Sequence, residues 1–170
     1  QYLDCPHSFY LQYILKIPQK TGSPLIEGQA MHKVMELSNK DKVKEGKPWE
    51  QQRFVTAWDD IWQSKKGEVE EYAGEDGPDV VQERGRALVV DYRSGKEKLA
   101  EIITPQRVET VEQELFSETG STRVVSHIDL ISDTPRVMDY KVTKNAYKYN
   151  PVNSIQLGIY IKGRTCSANI

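Results

Sequence analysis

"VVSHIDLISDTPRVMDYKVTK", residues 124–144, places two aspartates on either side of a turn and a lysine two positions after the second. "VVSHIDLI" and "RVMDYKV" alternate or run apolar as half-buried strands do, and "SDTP" between them is turn chemistry. Side chains alternate along a strand, so Asp139 and Lys141 share a face. With a loop of Ser132–Arg136, Ile131 pairs with Val137 and Asp129 with Asp139; a loop shorter by one residue puts the aspartates on opposite faces. Two facing carboxylates repel and are costly to bury unless something positive lies between them. A metal ion supplies that charge, and hard oxygen ligands favour Mg²⁺ or Mn²⁺, which keep waters and share their site with a phosphate. Lys141 completes the proposition: phosphodiester hydrolysis needs a positioned water and a sink for the charge of the transition state. The alternative is an ordinary hairpin, its aspartates on a wet face and Lys141 as a cross-strand partner.

The frame around this stretch is that of one soluble domain. The 170 residues are 38% hydrophobic, enough for a single core. No apolar run approaches the roughly 18 residues of a membrane span, and no secretory leader is present, so no membrane partner is expected and the default compartment is the cytoplasm. Cys5 and Cys166 are too few and too far apart for a zinc motif or a disulfide framework. The chain opens at Gln1 and stops at "CSANI", as a piece trimmed at both ends from something longer would. A net charge of -2 argues against a nucleic-acid binder that uses its whole surface. The distribution matters more. From Tyr140 onward there is no acidic residue, while Lys141, Lys144, Lys148, Lys162 and Arg164 are basic; from Asp59 to Glu118 the chain is strongly acidic. A local basic face is available beside the two aspartates, although such a run also suits a solvated helix face and tail.

Periodicity predicts helices first. "DCPHSFYLQYILKI" reads as a helix from Pro6, capped by Asp4 or Cys5 and ended by Pro18, with Phe9, Tyr13 and Ile17 at helical spacing. "SPLIEGQAMHKVMELSN" reads as a second, starting near Pro24 with Met31, Val34, Met35 and Ser38 on one side, and a polar connection follows from Asp41 to Pro48. A third carries the apolar stripe Phe54, Trp58, Ile61 and Trp62, read as core. In a fourth, "VVQERGRALVVDYRSGKEKLAEI", Leu88, Val89 and Tyr92 face inward, Gly85 is a soft spot and Gly95 breaks or caps the helix. Near Thr104 the texture changes to a three-stranded meander with a turn at "SETGST". "NPVNSIQLGIYIKG" closes the chain as a helix, with Asn150 as cap, Pro151 at its first position and Gly163 at its exit. The chain thus divides into a mainly helical portion, 1–103, and a portion with sheet, hairpin and closing helix, 104–170.

"YLDCPHSFYLQYI", "EGQAMHKVMEL", "HIDLI", "VMDYK" and "QLGIY" occur in the order and at roughly the spacing of the RecB-like branch of the PD-(D/E)XK nuclease superfamily, and the chain resembles that branch over nearly its whole length. Its members include bacterial recombination exonucleases, phage recombination nucleases and CRISPR-adaptation nucleases. The resemblance implies an α/β domain with a restriction-endonuclease-like core, a central mixed sheet flanked by helices and an N-terminal helical portion. It implies metal-dependent hydrolysis of DNA by an exonuclease acting in recombination, repair or phage DNA processing, with a helicase or recombination protein as partner and the cytoplasm of a bacterium or phage-infected cell as its place. His32, Asp129, Asp139 and the Tyr140 carbonyl are similar to the family's metal ligands, Lys141 to its catalytic lysine, and Gln156 and Tyr160 to its Q-x-x-x-Y motif near the DNA. Glu36, and Glu112 or Glu114, are candidate assistants, and Lys144 and Lys148 of the basic face would track phosphate.

This chain departs from the family in two places. Where G-x-I-D is common it has Ser126 and His127, and a glycine there permits close backbone approach. Some relatives hold an iron-sulfur cluster through a cysteine like Cys5 and three more after the last helix; only Cys166 follows here, so no cluster is supported and Cys5 is read as a small buried residue. Two other readings compete: a non-catalytic module that binds DNA or protein on a nuclease-like fold, and an interaction protein using the acidic middle segment. Composition leaves the oligomeric state open.

Overall fold

The computed structural model describes residues 5–74, 76–103, 105–117, 120–132 and 137–142, with the backbone alone over 106–117 and 120–127 and at Val137. Helix α1 (Pro6–Phe9) starts with proline at its first position and Cys5 as its cap, the Cys5 Sγ accepting from the Ser8 N–H at 3.4 Å. It runs into a π turn, Tyr10–Ile14, where Phe9 and Tyr13 stack at 4.8 Å. The expected stop at Pro18 is therefore early: Lys16, at φ 50°, turns the chain left-handed, and the Ile17 N–H closes on the Leu11 carbonyl at 3.1 Å. Cys5 is exposed, contrary to the buried role read for it. Asp4, the other candidate cap, lies outside the described residues.

Helix α2 (Ser23–Glu45) runs straight through the first part of the polar connection expected from Asp41 to Pro48 and ends only at Gly46, whose φ of 73° is a left-handed cap that suits glycine. Tertiary partners explain the extra turn. The Lys42 ammonium donates to the carbonyls of Ala100, Glu101 and Ile103, while Asp41 accepts from the Trp49 indole at 3.0 Å and pairs with Arg53. Its buried stripe, from Ile26 through Ala30, Met31, Val34 and Met35 to Ser38 and Asn39, includes every inward residue expected of it. Helix α3 (Gln51–Lys65) contributes Phe54, Trp58 and Trp62 to the core, with Ile61 at its margin.

Helix α4 (Pro78–Ser94) buries Val81, Gly85, Val89 and Tyr92, whereas Leu88 is 39% exposed. Val89 and Tyr92 are inward as expected, but Leu88 is not, since Gly85 lies on the inward face. A β-carbon on Gly85 would lie 1.9 Å from the Trp58 ring, so this glycine is the seat of a tryptophan and not a soft spot. Both stacked indoles are also tied to α4, Trp58 to the Gln82 carbonyl at 2.9 Å and Trp62 to that of Pro78 at 3.2 Å. Gly95 caps α4 as expected, and a short helix α5 (Leu99–Ile102) follows. Asp59 and Asp76 of the acidic middle are paired within the fold. Arg84 grips the buried Glu27 through two nitrogens and Asp76 through a third, and Arg86 holds Asp59 below its ordinary pKa through paired hydrogen bonds.

Strands β1 (Pro105–Ser117), β2 (Gly120–Ser132) and β3 (Val137–Met138) form an antiparallel sheet in the order β1-β2-β3, the meander expected. The β1–β2 ladder continues to the Ser117–Gly120 pair, further into "SETGST" than the turn expected there. Ile131 pairs with Val137 and Leu130 with Met138, which is the longer-loop register. All strand pairs among the described residues are antiparallel, so the mixed character expected of the sheet is not among them. Ile128, Leu130 and Ile131 are buried, with Leu130 in the core built by α2, α3 and α4. No described helix is long and apolar enough to cross a membrane.

The Trp58 seat yields a prediction opposite to helix propensity. Gly85→Ala gains about 1 kcal/mol of intrinsic helicity but overpacks a buried indole. A net destabilisation of about 1–3 kcal/mol is expected in urea unfolding; a variant as stable as the parent would show that Trp58 does not occupy the seat.

Candidate functional site

The register that pairs Ile131 with Val137 brings Asp129 opposite Asp139, but the ladder stops at Met138 and the last rung is made differently. Instead of a backbone carbonyl, the Asp129 carboxylate takes the next N–H: Tyr140 N donates to Asp129 Oδ2 at 2.7 Å. The chain beyond β3 is thereby pinned to β2 by a side chain, which leaves the Tyr140 carbonyl free to turn toward α2. There it meets His32 Nε2 at 2.7 Å across 108 positions of sequence. The other ring nitrogen, Nδ1, lies 3.2 Å from Asp129 Oδ1. Three groups from α2, β2 and the segment after β3 thus close a small ring of contacts.

Chemistry fixes the protonation of this ring. A carbonyl accepts and never donates, and a carboxylate at the other nitrogen accepts as well, so only the imidazolium, with an N–H on each nitrogen, satisfies both. Accordingly the hydrogen bond to Asp129 raises the His32 pKa above its ordinary value despite partial burial, with the charges of Asp129 and Asp139 and the Tyr140 carbonyl acting the same way. For Asp129, burial pushes the carboxyl up, but His32, the Tyr140 N–H and the charge of Lys141 together outweigh it and hold it below the ordinary aspartate value. Lys141 Nζ stands 2.7 Å from Asp139 Oδ2; the Asp139 side chain is 5% exposed and that of Lys141 38%, so a buried carboxylate carries its counter-charge at the surface. Asp139 and Lys141 do lie on one side, although β3 ends before either.

The side chains expected to act together are distributed as follows. His32, Asp129 and Tyr140 are in contact, and Asp139 is close enough for its charge to act on His32. Glu36, a candidate assistant, is turned to Lys33 and Lys40 instead. The side chains of Ser126, His127, Glu112 and Glu114, and all of Lys144, Lys148, Gln156, Tyr160 and Cys166, lie outside the described residues. Among the described residues no group of three or more histidine, cysteine, aspartate or glutamate side chains is gathered as a metal cage. The donor types nevertheless suit a divalent cation. An imidazole, a carboxylate and a main-chain carbonyl already converge, and the positive charge they enclose is a removable proton.

Sequence reasoning missed two residues around Tyr140. Its hydroxyl accepts from Asn39 Nδ2 at 3.1 Å and lies 3.4 Å from the Tyr92 hydroxyl, and burial raises the pKa of both phenols. Asn39 is 2% exposed. The signal was its position: seven residues after His32, it falls two turns along the same helix face.

A family model of the PD-(D/E)XK nuclease superfamily matches residues 1–162, and the chain belongs to that superfamily. No curated protein and no solved structure matches it significantly.

The imidazolium predicts the pH response of the metal-free fold. A histidine whose folded pKa is raised contributes stability that is complete below its unfolded value, about 6.5, and is lost as pH rises through the folded value. The depressed Asp129 works in the opposite sense, its contribution present above about 3.9 and lost as pH falls through its folded pKa. In chelator, the melting temperature should therefore decline as pH rises above about 6.5, and His32→Asn should flatten that decline. Equal slopes in parent and variant would show that His32 is not held by Asp129.

Proposed function

From membership of this nuclease superfamily, we propose that the chain is a Mg²⁺- or Mn²⁺-dependent nuclease that hydrolyses DNA phosphodiester bonds, and more narrowly an exonuclease serving recombination, repair or phage DNA processing. One observation carries the reading. His32, Asp129 and the main chain of Tyr140, brought together from three elements, meet beside the Asp139–Lys141 pair. A merely structural hairpin has no need of a histidine reaching in from a distant helix.

In this reading His32, Asp129, Asp139 and the Tyr140 carbonyl hold the metal. Bound there, a divalent ion supplies the charge that polarises a phosphate oxygen and makes a water more acidic. The protein's own residues do the rest. Asp129, fixed by the Tyr140 N–H, presents its oxygens from the rigid end of β2. His32 gives up a proton to become a nitrogen donor, which its partly exposed ring allows. Lys141, paired with Asp139 and partly exposed, would orient the attacking water and neutralise charge developing on the phosphate. Lys144 and Lys148 would track the DNA backbone, with Gln156 and Tyr160 near the scissile group, so binding would weaken as salt rises. A helicase or recombination protein is a fitting partner for an enzyme that resects ends.

The test is degradation of end-labelled linear and circular DNA, single- and double-stranded, with Mg²⁺, Mn²⁺ or chelator. Metal-dependent loss of linear DNA is expected, falling at least about 100-fold in Asp139→Ala and Lys141→Ala. Cutting of closed circles would replace the exonuclease with an endonuclease. Retention of all substrates under every condition would leave a non-catalytic DNA-binding or interaction module as the better account.

A further inference from the structure

Tyr140 touches the site with its backbone and the core with its side chain. Its N–H holds Asp129 and its carbonyl meets His32, while the far end of the same residue is held by Asn39 and lies against Tyr92. Both His32 and Asn39 are on α2, about 10 Å apart along the axis for a spacing of seven residues. Tyr140 is therefore laid along one rigid helix and fastened to it at both ends. Edge-to-face packing adds a lateral restraint: the Tyr140 ring meets His32 at 6.5 Å and Tyr92 at 6.2 Å, and Tyr92 meets Phe54 at 5.7 Å, which joins the site to the aromatic core.

We propose that Asn39, assisted by Tyr92, is a positioning residue for the nuclease site: by fixing the phenol of Tyr140 it sets the peptide planes on either side of that residue, and through them Asp129, His32 and the neighbouring Lys141. The proposal deepens the metal-dependent reading and rests on it for its effect on metal. It rests on geometry alone for its effect on Asp129. The physical case is that the β2–β3 ladder ends at Met138, so among the described residues no strand pairing carries on over 139–142. A segment that carries a carbonyl, a carboxylate and a lysine to one site needs a restraint from elsewhere, and the buried amide-to-phenol hydrogen bond supplies it. Asparagine is suited to the position because its NH₂ donates and cannot titrate, so the restraint holds at every pH. Groups that orient the direct ligands of a metal typically change its affinity by about 10–100-fold when removed.

The test uses the full chain and four variants, Asn39→Leu, Tyr140→Phe, the double variant and Tyr92→Phe, with two readouts. The first is hydrogen exchange at the Tyr140 amide in chelator, which reports its bond to Asp129 without any metal. The second is the Mn²⁺ midpoint, the dissociation constant obtained by fitting the rise of melting temperature with MnCl₂ to one site. Asn39→Leu takes the amide donor from the Tyr140 hydroxyl, which keeps only the longer contact to Tyr92, and should lower stability. The double variant removes that under-satisfied hydroxyl, leaving the Tyr92 hydroxyl without its Tyr140 partner, and should recover part of the stability. The two readouts should not recover with it: in Asn39→Leu, Tyr140→Phe and the double variant alike, Tyr140 exchange should speed up and the Mn²⁺ midpoint rise, each about tenfold, and Tyr92→Phe should do the same more weakly. Exchange and midpoint that stay at parental values, or that return to them in the double variant as stability returns, would make Asn39 a packing residue only and overturn the proposal. A parent chain whose melting temperature ignores Mn²⁺ would instead overturn the metal reading, and faster exchange in the variants would still establish that Asn39 positions Asp129.

Discussion

The bond between Asp129 and the Tyr140 N–H is the constraint on which the site depends. An antiparallel ladder would have carried the chain on beyond Met138 and paired every backbone group. Here a carboxylate takes over one rung. Substituting a side chain for the partner strand ends β3, releases the Tyr140 carbonyl toward α2, and leaves Asp139 and Lys141 on a segment whose course is no longer dictated by the sheet. A single hydrogen bond thereby converts regular structure into a place where charged groups meet. Burial raises the Asp129 pKa, but His32, this bond and the charge of Lys141 together hold it below its ordinary value.

Such an arrangement needs a stiff support, and the helices provide it. Helix α2 reaches the site with His32 and the core with Met31, Val34 and Met35, so the two faces of one helix serve the two tasks. Its position is fixed by contacts that a smaller or more polar set of residues would not give: Trp58 fills the gap over Gly85, the Glu27–Arg84 pair joins α2 to α4, and Lys42 ties the end of α2 to the carbonyls that lead into β1. Removing one partner of a buried ion pair leaves an uncompensated charge and typically costs about 3–5 kcal/mol. Glu27, at 4% exposure, is such a case, and the pair acts to keep α4 in register with α2.

Much of this was legible in the sequence, because the decisive patterns are local. The core stripe of α3 followed from the spacing of its aromatic residues and the end of α4 from Gly95, while loop length narrowed the hairpin to two registers. What was not legible depends on partners far away in the chain. Asp41 and Lys42 read as loop because polar residues usually face water, and only Trp49, Arg53 and the carbonyls of α5 make them helical. Leu88 read as core because leucine outranks glycine in hydrophobicity, yet a tryptophan needed space more than it needed a leucine. Asn39 has no role in the sequence reading, since its phenol partner is 101 positions away. At the site, the residue types were readable and the hairpin was narrowed to two registers, between which the Ile131–Val137 pair decides. The contact between His32 and the hairpin was supplied by resemblance, since no local pattern links a helix to a turn about a hundred residues later.

The charges of the site suggest why it can fold before it is used. With His32 as imidazolium, the two cations His32 and Lys141 balance the two anions Asp129 and Asp139, and the group is neutral. A neutral cluster of this kind needs no ion to form, unlike a structural zinc site whose fold waits for its metal. In the proposed cycle, exchange of the His32 proton for a divalent cation raises the cluster by one positive charge, and a phosphodiester carries one negative charge. Substrate restores the neutrality that metal removes. The cluster is then most favourable in two states, protonated and empty or metal-loaded and occupied by phosphate. Loaded with metal and without DNA, the proposed site would carry an excess charge that would attract the DNA backbone.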